Sequence, residues 1–263
     1  MPETRQKGVL ILSMPRAGSN WLGSLTNATG TMGKLDEWLD FGHLTKPKGP
    51  EGRRALYTRT LQSASSPNGR FAVKIFPRQL LQVIDEYEFD FIRRTRREHD
   101  TGLILLERED RMAQAISLVR AMQSGAWTAD NDTGKEVRYN YGALCQAYFH
   151  IGRGYAFWHS YLSLGNLPYT RFTYESLLQG PHPYLDTVAE MLGVPASTTP
   201  ESPLELQRDD TTAEWRTRFE NDIEKFGIPA RAYEQKQPEA TLGNALRLLR
   251  GKPAKITRLG YSA

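Results

Sequence analysis

A short apolar run that ends in a Pro-Arg-Ala-Gly-Ser turn constrains this chain most. Residues 8–13 are typical of a buried parallel strand, and the residues from Ser19 onward suit a helix. A tight turn between such a strand and a helix directs several backbone N–H groups, and the positive end of the helix, into one small space. Gly18 permits close approach, Ser19 adds a hydroxyl, and Arg16 adds a permanent positive charge. The stretch therefore predicts an anion-binding loop, although an ordinary strand-turn-helix corner with a surface arginine remains the alternative.

Strand-like and helix-like segments alternate along the rest of the chain. The further strand candidates are residues 70–76, 102–107 and 168–173. The aromatic-rich residues 136–164 predict a long helix that its glycines are expected to break into two, and shorter helices are expected at 183–192 and 211–226. This order predicts an α/β fold with a P-loop-like parallel sheet flanked by helices. We expect one α/β domain over residues 1–228 and a basic C-terminal extension over 229–263.

Composition excludes several classes of protein. The 263 residues include 39% hydrophobic and 24% charged residues, without an apolar stretch that spans a bilayer or a signal-peptide core, so we expect a cytoplasmic protein. A net charge of +4 does not indicate nucleic-acid binding. The one cysteine, Cys145, cannot form an internal disulfide and suits a buried core position, and metal-ligand spacings are lacking, so we expect no metal. Leucines and basic residues in 246–259 suit peripheral contact with an anionic membrane, or else a packed or frayed helix.

A second anion site is predicted near the middle of the sequence. Arg108 follows the third strand, at the sheet edge where open α/β folds bind their ligands. Ser117 lies nine residues later, about two and a half helical turns on, and so can face the same edge. Alone, this pair also fits a surface ion pair. Together with the first loop, it suggests two separate anion pockets for one nucleotide with phosphates at both ends of its ribose.

This combination resembles the sulfotransferases that use 3′-phosphoadenosine 5′-phosphosulfate, and most closely the bacterial trehalose 2-sulfotransferase family and its lipopolysaccharide-sulfating relatives. The stretches that carry the resemblance are Arg16-Ala17-Gly18-Ser19 with Leu22, Gly33-Lys34-Leu35-Asp36-Glu37-Trp38, Asn68-Gly69-Arg70-Phe71-Ala72-Val73-Lys74, Arg108-Glu109-Asp110 with Gln114-Ala115-Ile116-Ser117, and Glu214-Trp215. The resemblance implies the sulfotransferase fold and that nucleotide as co-substrate. The nucleotide-binding residues that it implies are Arg16, Ala17, Gly18, Ser19, Asn20, Trp21, Arg108 and Ser117, and Arg208 is a further candidate that would close over the nucleotide.

The resemblance also implies how catalysis would work. Glu37 would be the general base that takes the proton of an acceptor hydroxyl, and Arg16 would stabilise charge on the departing phosphate. Lys74, at the end of the second strand, would reach the same phosphate or would instead extend to solvent. Rivals for the role of base lie close to Glu37 in the sequence: Asp36, Asp40 and His43.

The expected function is transfer of a sulfuryl group to a carbohydrate or glycolipid hydroxyl. Dimerisation is suggested by the resemblance alone. A P-loop nucleotide kinase is the first alternative, and it is disfavoured because Gly33-Lys34 is followed by Leu35 rather than by Ser or Thr. The second alternative is a non-catalytic nucleotide-binding protein. Aromatic faces for an adenine or a sugar are offered by Trp21, Trp127, Tyr139 and Trp215.

Overall fold

A parallel sheet forms the centre of the protein. The computed structural model describes residues 5–39, 49–127, 134–196, 210–229, 232 and 242–249. In this part of the chain, one sheet has the order β2-β1-β3-β4, with all pairs parallel. The strands are β1 Lys7–Leu12, β2 Phe71–Ile75, β3 Asp100–Glu107 and β4 Thr170–Thr173. The four predicted strands are thereby confirmed, with ends that differ by one or two residues.

Helices connect the strands and cover both faces of the sheet. They are α1 Ser19–Ala28, α2 Gly49–Ala64, α3 Pro77–Tyr87, α4 Phe91–Glu98, α5 Arg111–Ser124, α6 Tyr141–Leu164, α7 Tyr174–Leu177, α8 His182–Leu192, α9 Asp210–Phe226 and α10 Leu242–Leu249. The predicted α/β fold with a parallel sheet flanked by helices is confirmed. No helix in the described ranges combines the length and the apolar character that crossing a bilayer requires.

Alternate strand residues supply two separate cores, because successive side chains of a strand point to opposite faces. On one face, Leu10 and Leu105 pack with Trp158 of α6. On the other face, Ile11 packs in one cluster with residues of α1 and α8, including Leu22. A third cluster joins α5, α6 and α9, and it contains Cys145, whose pKa is raised by burial. The expected buried position of this thiol is confirmed.

The expectation that glycines divide the long aromatic-rich segment is wrong. Helix α6 runs unbroken from Tyr141 to Leu164, and it begins later than predicted because the Asn140 side chain caps it by accepting the Ala143 N–H. A Cβ on Gly154 would lie 2.0 Å from the Met14 sulfur. That glycine therefore serves close packing against the chain just after β1 and does not interrupt the helix.

The structure tests few of the predictions for the C-terminal part of the chain, because it describes only some of the residues there. Helix α9 confirms the predicted 211–226 segment, and Ala232 is buried in the third core cluster. Helix α10 carries the exposed Leu242 and Leu249. The domain boundary at 228, membrane contact through the basic tail and dimerisation stay predictions.

Candidate active site

The loop between β1 and α1 has the backbone conformation that anion binding requires. Strand β1 lies between β2 and β3, so this loop emerges at the middle of the sheet's carboxyl edge. Arg16 and Gly18 both adopt positive φ, of 66° and 89°. Gly18 precedes α1 without a side-chain cap, which leaves the first-turn N–H groups of that helix outside its own hydrogen-bond ladder. These groups can therefore bind an anion.

Neighbouring elements hold the loop in place. The Ser13 hydroxyl donates to the Leu106 carbonyl (3.0 Å), and the Trp158 indole N–H donates to the Ser13 carbonyl (2.9 Å). The Gln114 amide donates to the Pro15 carbonyl (2.8 Å). A Cβ on Gly18 would lie 2.4 Å from the Tyr174 ring, so this position requires glycine both for its φ and for the close contact.

Arg16 and the predicted second anion site form one continuous cluster. The Arg16 Nε donates to the Ser117 hydroxyl (2.8 Å), and its terminal nitrogen donates to the Trp127 carbonyl (2.6 Å). Arg108 in turn donates to the Arg16 carbonyl (3.3 Å). Burial, together with the nearby positive charges of Arg108 and Arg120, lowers the pKa of Arg16. The Arg16 side chain therefore contacts Ser117 of the predicted second site, and the expectation of two anion pockets stays a prediction.

Arg108 is held at the end of β3 with part of its donor capacity unused. Its backbone N–H donates to the Tyr155 hydroxyl (3.1 Å), and its guanidinium lies over the Tyr174 ring at 4.8 Å. Within the described part of the chain, its buried Nε has no hydrogen-bond partner. A buried guanidinium nitrogen without an acceptor is costly, and an anionic ligand would supply one.

Lys74 and Glu37 form an ion pair beside the loop. The Lys74 side chain is 3% exposed, and its ammonium lies 3.0 Å from a Glu37 carboxylate oxygen and donates to the Asn20 side-chain oxygen (2.5 Å). The chain at Asp36 pairs with β2, where the Lys74 N–H donates to the Asp36 carbonyl (3.0 Å). This backbone pairing places Glu37 next to Lys74. Of the two alternatives for Lys74, extension to solvent is wrong, because the nearby Glu37 carboxylate and Asn20 amide hold the ammonium inside.

Gln79 is a site residue that the sequence reasoning missed. Its amide N–H donates to the second Glu37 oxygen (3.2 Å), and its amide oxygen accepts the Phe76 N–H (2.8 Å) at the start of α3. The sequence signal for the second contact was present, since Pro77 begins a helix and Gln79 stands at its third position. The contact with Glu37 joins residues 42 positions apart and had no local signal.

Glu107, the last residue of β3, is a buried carboxylate that directly precedes Arg108. Its side chain is 2% exposed and pairs with Arg111 (3.1 Å), His159 (3.2 Å) and Arg171. Burial raises the pKa of Glu107, but the hydrogen bonds from Arg171, His159 and Arg111 outweigh burial and hold it below its ordinary value. This carboxylate holds the Arg111 and Arg171 side chains at the carboxyl end of β3.

The remaining predicted residues have mixed surroundings. Ser19 and Ala17 are buried in the loop region, and Trp21 contacts the Tyr174 ring edge-on at 6.3 Å between centroids. Trp215 is buried against Tyr139, so it belongs to the core and does not offer a free stacking face. Three candidates lie outside the described residues: Asp40, His43 and Arg208. The described ranges contain no cluster of His, Cys, Asp and Glu side chains that could hold a metal ion.

Comparison with known proteins finds several sulfotransferases that are similar to this chain. The curated trehalose 2-sulfotransferase of Mycolicibacterium smegmatis is 28% identical over 132 residues, which are 49% of this chain and 49% of that protein. The match thus spans about half the length of that relative. A sulfotransferase structure from Alicyclobacillus acidocaldarius has a TM-score of 0.47 and 14% identity, covering 88% of this chain and 97% of that one. The sulfotransferase domain of the curacin biosynthetic pathway has a TM-score of 0.46 and 16% identity, covering 96% and 100%.

The family comparison covers the central half of the chain. The model of the family described as Stf0 sulphotransferase matches residues 77–222. This range begins at α3, directly after β2, and ends within α9, so it includes Gln79, Arg108 and Ser117. The chain therefore belongs to the Stf0 sulphotransferase family.

Proposed function

We propose that this protein transfers a sulfuryl group from 3′-phosphoadenosine 5′-phosphosulfate to a hydroxyl of a carbohydrate or glycolipid. Membership of the Stf0 family supports sulfuryl transfer, and the name of the curated relative, trehalose 2-sulfotransferase, supports a sugar acceptor. The observation that carries the proposal is a continuous set of contacts in which Asn20 of the loop helix reaches Lys74, and Lys74 reaches Glu37. A candidate base thus lies directly beside the candidate anion site.

The residues present fit a nucleotide with two separate phosphate groups. The uncapped N-terminus of α1 and the adjacent loop amides would hold one anionic end. Arg108 and Ser117, joined by Arg16, would hold the other, and the buried Arg108 Nε would gain an acceptor. The nucleotide supplies a sulfuryl group already attached to a phosphate leaving group. Trp21 and Arg208 stay predicted contacts for it.

Glu37 would accept the proton of the acceptor hydroxyl. Lys74 and Gln79 donate to different oxygens of its carboxylate, and each oxygen keeps a further lone pair for a proton or a hydroxyl. Its side chain is 33% exposed, so an acceptor from solvent can reach it. General-base catalysis of this kind contributes about 10²–10⁴-fold in rate.

Lys74 would stabilise the negative charge that develops on the departing phosphate. Its ammonium is buried, so its field is screened less than that of a surface lysine. The sequence suggested both Arg16 and Lys74 for this task, but the Arg16 guanidinium lies beside Ser117 and Trp127. We therefore assign Lys74 to the transfer end of the nucleotide and Arg16 to the junction with the Arg108 end.

Binding and transfer are tested separately. Isothermal calorimetry with adenosine 3′,5′-bisphosphate, the desulfated product, measures the nucleotide site, and labelled-sulfate transfer to a sugar panel that includes trehalose measures turnover. We expect Glu37→Gln to bind the bisphosphate at least as tightly as the wild type, because Lys74 loses its competing carboxylate, and to lose at least about 100-fold in kcat. Glu86→Gln, which changes a carboxylate on α3 that pairs with Gln82, is the matched control and should behave like the wild type.

Each failure of this test has a distinct meaning. A wild-type protein that does not bind the bisphosphate would refute the proposed donor. Tight binding without turnover on any acceptor would identify a non-catalytic nucleotide-binding protein. Full activity in Glu37→Gln would remove Glu37 from the role of base and direct attention to Asp36, Asp40 and His43.

A further inference from the structure

Gln79 has both ends of its amide fixed by different partners. The side-chain oxygen accepts the Phe76 N–H (2.8 Å), and the side-chain nitrogen donates to Glu37 (3.2 Å). A backbone N–H can only donate, so the Phe76 contact determines which end of the amide is the oxygen. The nitrogen must therefore face the Glu37 carboxylate. Gln79 is only 7% exposed, and this burial restricts it to few alternative rotamers.

The carboxylate of Glu37 is in this way held from two sides. Lys74 on β2 contacts one oxygen, and Gln79 on α3 contacts the other. A single ammonium would leave the carboxylate free to rotate about its side-chain torsion angles. A second donor, on the other oxygen, fixes the plane of the group and the direction of its remaining lone pairs. Catalytic groups gain rate from being held in this manner before substrate arrives.

We infer that Gln79 is a positioning residue for Glu37, an inference that rests on the proposed function because it assigns Glu37 as the base. The amide does this through its N–H, whereas its oxygen caps α3. These two tasks can be separated by substitution, because glutamate keeps the capping oxygen and loses the donor. Methionine has a similar length and loses both.

Two substitutions at position 79 distinguish positioning from capping. If Gln79 positions Glu37, Gln79→Glu is expected to lower kcat at least as far as Gln79→Met, by about tenfold or more, because it places a second carboxylate against Glu37. If Gln79 only caps α3, Gln79→Met should unfold at a lower temperature than the wild type but keep the wild-type kcat. In both variants the affinity for adenosine 3′,5′-bisphosphate should stay within twofold of the wild type, since Gln79 contacts Glu37 and not the anion cluster.

The control is Gln82→Met on the same helix. Gln82 also donates to a glutamate, Glu86 (3.0 Å), but it lies outside the site, so kcat should stay at the wild-type value. Thermal unfolding of each variant verifies that it is folded at the assay temperature. Wild-type kcat in Gln79→Glu, in a protein whose wild type is active, would overturn the inference.

A spectroscopic measurement tests the contact without donor or acceptor. In protein labelled with glutamate ¹³C at the side-chain carboxyl, the Glu37 signal is assigned by its absence in Glu37→Gln. We expect this signal to move in both Gln79 variants and to stay in place in Gln82→Met. An unmoved signal in both Gln79 variants would overturn the inference. A moved signal in a protein that transfers sulfate to no acceptor would show instead that the proposed function had failed.

Discussion

Glu37→Gln should destabilise the fold as well as stop turnover, and the reason lies in the burial of its partner. Lys74 is 3% exposed, whereas Glu37 is 33% exposed. The substitution removes the negative charge and leaves the buried ammonium with two neutral oxygens, from Asn20 and the new amide. The new amide also cannot satisfy both neighbours, because the Lys74 and Gln79 groups that face it are both donors.

The size of this effect follows from the geometry of the pair. Removing one partner of a buried ion pair costs about 3–5 kcal/mol, and the partial exposure of Glu37 places this pair near the lower limit, about 3 kcal/mol. In a domain of roughly 150–250 residues, each kcal/mol lowers the melting temperature by about 2–4 °C. Glu37→Gln should therefore unfold roughly 6–12 °C below the wild type.

Differential scanning calorimetry on Glu37→Gln, Lys74→Met and the double variant measures this asymmetry. Lys74→Met removes the buried charge itself and leaves Glu37 with Gln79 and water, so we expect a loss of less than about 1 kcal/mol. The double variant should melt above Glu37→Gln alone, because its unpaired ammonium is gone. A melting temperature of Glu37→Gln within about 1 °C of the wild type, or simple additivity in the double variant, would refute the reasoning.

Three further predictions follow from the neighbouring contacts. Gly18→Ala places a Cβ 2.4 Å from the Tyr174 ring at a residue whose φ is 89°. It should lower the free energy of unfolding by about 2 kcal/mol and weaken bisphosphate binding. An unchanged melting temperature together with unchanged affinity would contradict this prediction. Because folding lowers the pKa of Glu107, its ionised carboxylate stabilises the folded protein at any pH above the ordinary pKa of 4.5. This stabilisation is lost as the pH falls below 4.5 and through the lower pKa of the folded state. Acid unfolding followed by circular dichroism should therefore be less steep in Glu107→Gln, and parallel curves would count against this. Arg108→Lys removes the unpartnered Nε and should weaken the binding of adenosine 3′,5′-bisphosphate by about tenfold or more. The binding of adenosine 5′-monophosphate, which has no 3′-phosphate, should change much less. Equal losses of affinity for the two nucleotides in calorimetry would show that Arg108 does not bind the 3′-phosphate.

Local sequence patterns were sufficient to predict the strands of the sheet but not to predict the residues at which strands and helices begin and end. Strands β1, β2 and β3 contain short apolar runs, β4 is the more polar Thr-Arg-Phe-Thr, and all four are present. Their ends depend on partners, however: β3 begins at Asp100 because Lys7 of β1 pairs with it, a contact between distant residues. Similarly, a glycine such as Gly154 gives no local indication of a helix. Its presence is explained by close packing against the Met14 side chain, which lies far away in the sequence. Patterns of one segment cannot report such tertiary contacts.

The same distinction applies to the candidate site. The sequence could place the loop after β1, Arg108 and Ser117 near one another because the carboxyl ends of parallel strands share one edge of the sheet. The contacts between these residues could not be predicted. Arg16, for example, contacts Ser117, although the sequence reasoning assigned the two residues to different pockets. The burial of Lys74 could not be predicted either, since it depends on the pairing of Asp36 with β2. Side-chain direction at a sheet edge is set by such pairings.

The two arginines of the candidate anion site carry like charges that repel each other. Arg16 and Arg108 lie together, and the positive charge of Arg108 is one cause, after burial, of the lowered pKa of Arg16. Arg16 uses two of its five N–H donors on Ser117 and Trp127, and so a ligand oxygen can be bound without breaking either contact. We expect an anion that contacts both guanidinium groups to replace part of their repulsion by attraction. Because little ordering is left to be done on binding, most of this electrostatic gain should appear as affinity for the nucleotide.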